Sequence, residues 1–251
     1  METTNHWQSR KMTQAFLEEA RCAIPAAGLQ FAIIDRIVNC WCDRPQRILD
    51  LGCGDGIMGR YLLNVFPNAS GLFIDSSDPM LEAARTSLKE TPNVTVSKGD
   101  FGLPDWTTIA EEHEPFDIVI SGFAIHHLTN ARKQTLYGEI FALLGARGLF
   151  LNLEHVSSAT PSGTDLFDAF LIDHLHRFQH LSDPCLSRET TAAGYTNRPD
   201  RHDNILAPVE EQCRWLRQIG FTDVDCFFKA FELAIFGGRR LANPQPNGSV
   251  S

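Results

Sequence analysis

The sequence predicts an α/β fold in which a parallel β-sheet is covered on both faces by helices. Three observations carry that prediction. Apolar segments of strand length alternate with amphipathic segments of helix length from Arg47 to about Glu154, the pattern of a parallel sheet buried between two helical layers. The stretch RILDLGCGDGIMGRYLL, residues 47–63, reads as strand, glycine-dense turn and helix, since apolar periodicity switches at the glycines. Finally, three strand-like segments carry an aspartate at their ends, Asp50, Asp75 and Asp100, and ligands of such sheets bind beyond the carboxyl ends of the strands.

Ahead of the glycine turn, residues 10–20 and 25–42 read as two helices; the second carries Phe31, Ile33, Ile34, Ile37, Val38 and Trp41, with Pro25 in its first turn. Residues 48–51 form the first strand. Gly52, Gly54 and Gly56 make the turn, where the missing Cβ permits positive φ and close approach of backbone N–H groups to a ligand. Ile57, Met58, Tyr61, Leu62 and Val65 then recur at helical spacing. Residues 70–75 read as a strand, 79–90 as a helix, 93–100 and 116–122 as strands, and 131–144 as a helix before a strand ending near Glu154. Residues 166–181 are helical, 187–204 look like a mobile lid, and 208–219 form a helix with Pro208 at its start and Gly220 as its cap. Two apolar runs flanking Lys229 and Ala230 make a closing hairpin, and the tail LANPQPNGSVS is expected to be disordered.

Composition narrows the function classes. A chain of 251 residues with 43% hydrophobic content supports one domain with embellishments. A net charge of -9 disfavours nucleic acid as a partner. The first residues lack the apolar core of a signal peptide and no run spans a bilayer, so a cytoplasmic protein without membrane contact is expected. Seven cysteines with no CxxC pair suit reduced thiols, and the C-x-C of Cys40 and Cys42 reads as packing.

Gly54, Gly56 and Gly59 also satisfy the dinucleotide pattern G-x-G-x-x-G by letter. A dinucleotide loop leaves room for a diphosphate on the helix N-terminus. Here Asp50 precedes the turn and Asp55 lies inside it, where each repels a diphosphate and suits a cationic or hydroxyl-bearing ligand.

The strand-end rule assembles one crevice from residues 50–56, Asp75 with Ser76, Asp100 with Phe101, residues 121–127, and Glu154 with His155. Asp75 follows the loop by about 20 residues, the place of an acid that takes a ribose hydroxyl pair. Asp100 can accept from an exocyclic amine while Phe101 covers a ring face, and together these describe an adenosine. Arg21, just before Pro25, reads equally as a fork for a ligand carboxylate or as a surface arginine. For proton transfer the crevice offers His126, His127, Glu154 and His155; adjacent histidines point differently, so one of the pair is expected to face the acceptor.

The order ILDLGCGDG, FIDSSDPML, KGDF, FDIVISGFAIHHL, ARGLFLNLEHV and GFTDVDCFFKAFELAIFGGR resembles the class I methyltransferases that use S-adenosylmethionine, over roughly residues 45–238. The resemblance implies a Rossmann-like three-layer sandwich whose seven-stranded, mostly parallel sheet has an antiparallel last strand, under a helical cap or lid. It implies a helical cap at 1–44, a cofactor-binding core at 45–156, an acceptor-pocket insertion at 157–206, the end of the core at 207–238 and a tail at 239–251. It also implies that Gly52, Cys53, Gly54 and Gly56 pass beneath the methionine part, that Asp50 orders the loop or meets the methionine amino group, and that Asp75 with Ser76 holds the ribose. Met80 and Phe101 then pack on adenine, Asp100 bonds its amino group, and Ser121 joins the cofactor site. Arg21 is similar in position to an arginine in relatives that include the carboxy-S-adenosylmethionine synthases. In such relatives the HHL segment often serves structurally.

The insertion is the individual part. Leu166, Phe167, Phe170, Leu171, Leu175, Phe178 and Leu181 make an apolar helical face, and Phe167, Phe170 and Phe178, with His174, are the expected acceptor-pocket residues. Asp173, His176, Arg177 and His180 lie on another face; a solvated face is favoured there over a metal site, because metal ligands normally come from more than one element. The expected function is methyl transfer from S-adenosylmethionine to a small-molecule O-, N- or S-nucleophile, leaving S-adenosylhomocysteine, in a monomer or homodimer. The alternatives are a carboxy-S-adenosylmethionine synthase-like reaction in the same fold and a catalytically silent cofactor-binding subunit.

Overall fold

The computed structural model describes residues 24–241. Its strands are β1 (Arg47–Leu51), β2 (Ser70–Asp75), β3 (Val94–Lys98), β4 (Phe116–Gly122), β5 (Leu144–His155), β6 (Thr222–Ala230) and β7 (Leu233–Arg240). Its helices are α1 (Ala27–Trp41), α2 (Ile57–Val65), α3 (Asp78–Ser87), α4 (Thr107–Glu111), α5 (Asn130–Leu143), α6 (Pro161–His180), α7 (Arg188–Thr196) and α8 (Val209–Ile219).

The strands form one seven-stranded sheet in the order β3-β2-β1-β4-β5-β7-β6. β7 runs antiparallel to both β5 and β6, and the other pairings are parallel. Alternation along each strand divides the core. Leu49, Leu51, Leu72, Val119 and Phe150 face a layer that includes Leu136, Tyr137, Ile140 and Leu216 of α5 and α8. Ile48, Phe73, Ile118, Ile120 and Leu149 face Ile34 and Val38 of α1 and Leu62 of α2. Period-two side chains buried on both faces are what a sheet between two helical layers requires. The chain returns from edge strand β3 to pair β4 with β1, and at that reversal the connections diverge and leave a crevice over the strand ends.

Several boundaries differ from the sequence reading. Pro25 stands before α1, not in its first turn: Ala26, at φ 58°, breaks the helical path, and the Pro25 carbonyl accepts from the buried Gln30 side chain at 2.9 Å. The hairpin turns at Phe231 and Glu232, two residues later than expected, with Phe231 at φ 53°. β7 continues to Arg240, past the expected end of the core at 238. The 187–204 segment contains α7, capped by Ser187 accepting from the Thr190 amide, and a short 3-10 helix at Pro199–Asp203. The helix read at 10–20, Arg21 and the tail from 242 lie outside the described residues. Among the described residues no helix is long and apolar enough to cross a membrane, and the six described cysteines are free thiols.

Close packing of α2 on the sheet depends on Gly59. A Cβ there would stand 2.4 Å from the ring of Phe73, which is 1% exposed, and 3.0 Å from the Asp50 Cβ. Neither neighbour has room to retreat. Gly59→Ala is expected to destabilise the fold by about 1–3 kcal/mol, the usual cost of overpacking; urea denaturation reads it, and an unchanged midpoint would contradict the packing argument.

Candidate active site

Two carboxylates fasten the glycine turn. Asp75, at the end of β2, accepts from the Gly54 amide with Oδ2 at 2.9 Å and from the Ser77 amide with Oδ1 at 2.8 Å. Asp50, at the end of β1, accepts from the Gly59 amide at 2.7 Å, so it satisfies an otherwise unpaired donor in the first turn of α2. The Gly52 and Cys53 amides both donate to the Ile74 carbonyl, at 2.8 and 3.0 Å. Gly52 is irreplaceable on two counts, a φ of 69° and a Cβ position only 2.3 Å from the Ala124 Cβ. On the far side of the crevice, Arg132 donates to the Phe101 carbonyl at 2.9 Å and pairs with Glu139, which also accepts from Trp106 Nε1 at 2.7 Å. That network fixes the loop that carries Asp100 and Phe101.

These elements enclose a cavity of about 480 Å³, within the range of small-molecule and cofactor sites. Gly52, Cys53 and Gly54 line it from β1, Asp75, Ser76 and Met80 from β2 and α3, and Asp100 and Phe101 from the loop after β3. Gly122, Phe123, Ala124, His127 and Leu128 close it beyond β4, with Leu153 of β5. Ile24, Ala27, Gln30 and Phe31 cover it from the N-terminal side, and His202, Asp203 and Ile205 from the lid. Four aspartates, Asp50, Asp75, Asp100 and Asp203, line this cavity, and among the described residues no lysine or arginine does. Such a field favours a cation and repels a diphosphate. Burial raises the Asp75 carboxyl above its ordinary range, opposed by amide donors from Ser77, Gly54 and Ser76. A sulfonium nucleoside matches this lining: acids at the ends of β2 and β3, a buried thioether at Met80, an aromatic ring at Phe101, and a side-chain-free backbone path at the glycines.

The structure gathers Asp50, Gly52, Cys53, Gly54, Asp75, Ser76, Met80, Asp100, Phe101 and His127 around one space. Other candidates stand elsewhere. Gly56 does not line the cavity; it precedes α2 at φ 80°, its amide donating to the Cys53 carbonyl at 2.8 Å. Ser121 is fully buried and donates to the Leu51 carbonyl at 2.7 Å, joining β4 to β1 beneath the crevice. Phe170 stacks on Phe231 at 4.4 Å and Phe167 meets the same ring edge-on at 5.7 Å. Phe167 and Phe170 of α6 thus pack on the β6–β7 turn. Phe167 lines a second, smaller cavity, and neither Phe170, Phe178 nor His174 lines either one. Asp173 pairs with Arg188, and among the described residues no trio of His, Cys, Asp or Glu stands together as metal ligands do. The lid residues His202, Asp203 and Ile205 were not singled out in the sequence, whereas Phe123, at φ 54°, belongs to the 121–127 segment read as part of the crevice. The sequence picked out the 187–204 segment, but not which of its side chains turn inward.

The four proton-transfer candidates separate by environment. His127 alone of them faces the large cavity, with Nδ1 at 3.4 Å from the Asp203 carbonyl. His126 is buried behind it, ring centroids 4.0 Å apart, with Nδ1 at 2.6 Å from Glu154 Oε1. Glu154 is fully buried and also accepts from the His155 amide at 2.9 Å; burial raises its carboxyl above the ordinary range, opposed by nearby His155, His127 and Lys133. His155 turns toward the second cavity, and burial lowers its imidazole to about 3, which leaves it a weak base. Lys133, buried on α5, donates to the Ile205 carbonyl, while the Ile205 amide donates to the His126 carbonyl at 2.8 Å. The lid is thereby tied to the histidine segment.

Comparison with known proteins agrees with this geometry. A family model described as a methyltransferase domain matches residues 48–148, from β1 into β5. An uncharacterized methyltransferase of Anoxybacillus flavithermus is 29% identical over 159 residues, 59% of this chain and 69% of that protein. The carboxy-S-adenosyl-L-methionine synthase of Shewanella amazonensis is 28% identical over 193 residues, 75% of this chain and 74% of that one. Several other curated relatives are matched over less than half of their own length. The crystal structure of human N-acetylserotonin methyltransferase in complex with SAM superposes with a TM-score of 0.56 at 15% identity, covering 94% of this chain and 58% of that one, a likeness of fold. Residues 48–148 thus match a methyltransferase domain, and the fold around them is that of solved S-adenosylmethionine-dependent methyltransferases.

Proposed function

We propose that this protein transfers the methyl group of S-adenosylmethionine to a small-molecule acceptor that enters between His127 and the lid. The observation that carries the reading is the acid-lined cavity over the β1 and β4 ends, with its glycine turn tied to Asp75. When bound, the cofactor supplies a methyl group on a sulfonium, which a nucleophile displaces in line. The chain's own contribution is then mostly alignment, worth on the order of 7–11 kcal/mol in well-oriented reactions. Asp75 and Asp100 hold the nucleoside end, the glycine turn supports the other end, and Phe123, Leu128, Leu153 and Ile205 exclude water from the acceptor side. His127 takes the acceptor proton when the nucleophile is a hydroxyl or protonated amine. Glu154 and His126 act behind it as positioning residues, through their 2.6 Å contact and the packed histidine rings.

The similarity to a carboxy-S-adenosyl-L-methionine synthase favours a second reading, a different reaction of the same cofactor. A carboxylated sulfonium needs a cation beside it, and Arg21, the residue the sequence offers for that place, lies outside the described residues. A silent subunit is the third reading, and it predicts binding without turnover.

In calorimetric titration with S-adenosylhomocysteine, Asp75→Ala is expected to weaken binding by about 1.5–3 kcal/mol, the loss of charged hydrogen bonds; unchanged affinity would remove the ribose assignment. Turnover is best sought in a screen of hydroxyl, amine, thiol and carboxylate acceptors that reads S-adenosylhomocysteine release. On a hydroxyl acceptor so found, His127→Ala is expected to lower kcat by roughly 10²–10⁴ fold. Full turnover in that variant would exclude His127 as a base.

A further inference from the structure

Among the described lysines, Lys133 alone is buried, at 1% exposed. An ammonium is costly to bury unless its donors and its charge are matched. Lys133 also stands in the first turn of α5, the end of a helix that disfavours a cation. Burial lowers it to about 8, opposed by the nearby Glu154 carboxylate of β5. Its donors go to Asn130 Oδ1 at 3.3 Å and to the Ile205 carbonyl of the lid. Of these two bonds, only the second leaves α5.

The lid there is a narrow strap. Asp203 and Ile205 line the large cavity, while Asn204 and Leu206 line the second one, about 200 Å³ in volume, beside Arg198 and Arg201. Such alternation is that of an extended chain. Backbone contacts fasten the strap along its length. The Ala207 carbonyl accepts from the Ser157 amide at 3.2 Å and from the Gln212 side chain at 3.1 Å. The Ile205 amide donates to the His126 carbonyl at 2.8 Å, and the Asp203 carbonyl lies 3.4 Å from His127 Nδ1. Lys133 adds a charge-assisted bond at Ile205, and bonds of that kind are roughly twice as strong as neutral ones. Thus one side chain of α5 secures, through backbone, the two strap residues that face the large cavity.

We propose that Lys133 is a positioning residue for methyl transfer: it holds the strap over the large cavity, with the Asp203 carbonyl against His127 and the Ile205 side chain on the acceptor side, and release of its bond to Ile205 is the opening through which ligands exchange. The role in methyl transfer rests on the function proposed above; the latch itself rests on the bonds to the strap. A latch and a general support of the fold differ in reach. Losing a latch frees residues 203–206 by local opening, whereas losing a support loosens the sheet with them.

Hydrogen exchange of the full chain separates the two. In Lys133→Met the amides of residues 203–206 are expected to exchange at least about tenfold faster than in wild type, while those of β1 and β4 keep their rates. Wild-type protein gives a second reading that needs no substitution and decides the matter if the variant does not fold. Towards an amine-acetylating reagent Lys133 is expected to react about a hundredfold more slowly than Lys89, whose side chain is 70% exposed, and more slowly again under saturating S-adenosylhomocysteine. Strap amides unchanged in Lys133→Met, exchange accelerated equally through the sheet, or Lys133 as reactive as Lys89 would overturn the proposal. Calorimetry with S-adenosylhomocysteine tests the cofactor reading separately: if none binds, that reading falls, and exchange of the strap still decides the latch.

Discussion

The carboxylate of Asp75, bonded to the Gly54 and Ser77 amides, is the interaction on which the crevice depends. It joins the end of β2 to the turn after β1 and to the start of α3 at once. With Asp50 on the Gly59 amide and the Ile74 carbonyl holding Gly52 and Cys53, three adjacent elements are locked by short bonds to backbone. The glycines then lie flat beneath a cavity instead of folding into it. Glycine at these positions answers a steric demand, most sharply at Gly52, where any side chain would meet Ala124.

Charge follows from the same arrangement. Acids that hold the turn also face the ligand, and among the described residues no lysine or arginine lines the cavity beside them. A cationic ligand gains from that field, and a diphosphate does not. The lid brings Asp203 to the same side while turning Asn204 away, so one extended segment separates an acidic compartment from one that carries the arginines. Lys133 and His126 hold that segment through its backbone at Ile205.

Most of the sheet was legible because its signals are local. Strand length, alternation and glycine placement located residues 70–75 and 116–122 to the residue. Strand-end aspartates could be assigned to one crevice because parallel topology puts every such end on one edge. Helix ends drifted by a few residues, as at Pro25, where a left-handed Ala26 delays α1. What could not be read was the destination of α6. Its apolar face signals burial, but the partner is Phe231, distant in sequence and half-buried at a turn whose positive φ no local pattern announces. His126 and His127 were indistinguishable as letters; only the fold shows that one meets a buried glutamate and the other the cavity.

The central claim is that this acid-lined glycine cradle selects a sulfonium nucleoside over a dinucleotide. Parallel calorimetric titrations of the wild-type chain with S-adenosylmethionine and with NADH test it most directly. The account predicts a one-to-one isotherm for S-adenosylmethionine and no measurable heat for NADH. Saturable NADH binding with none for S-adenosylmethionine would contradict it.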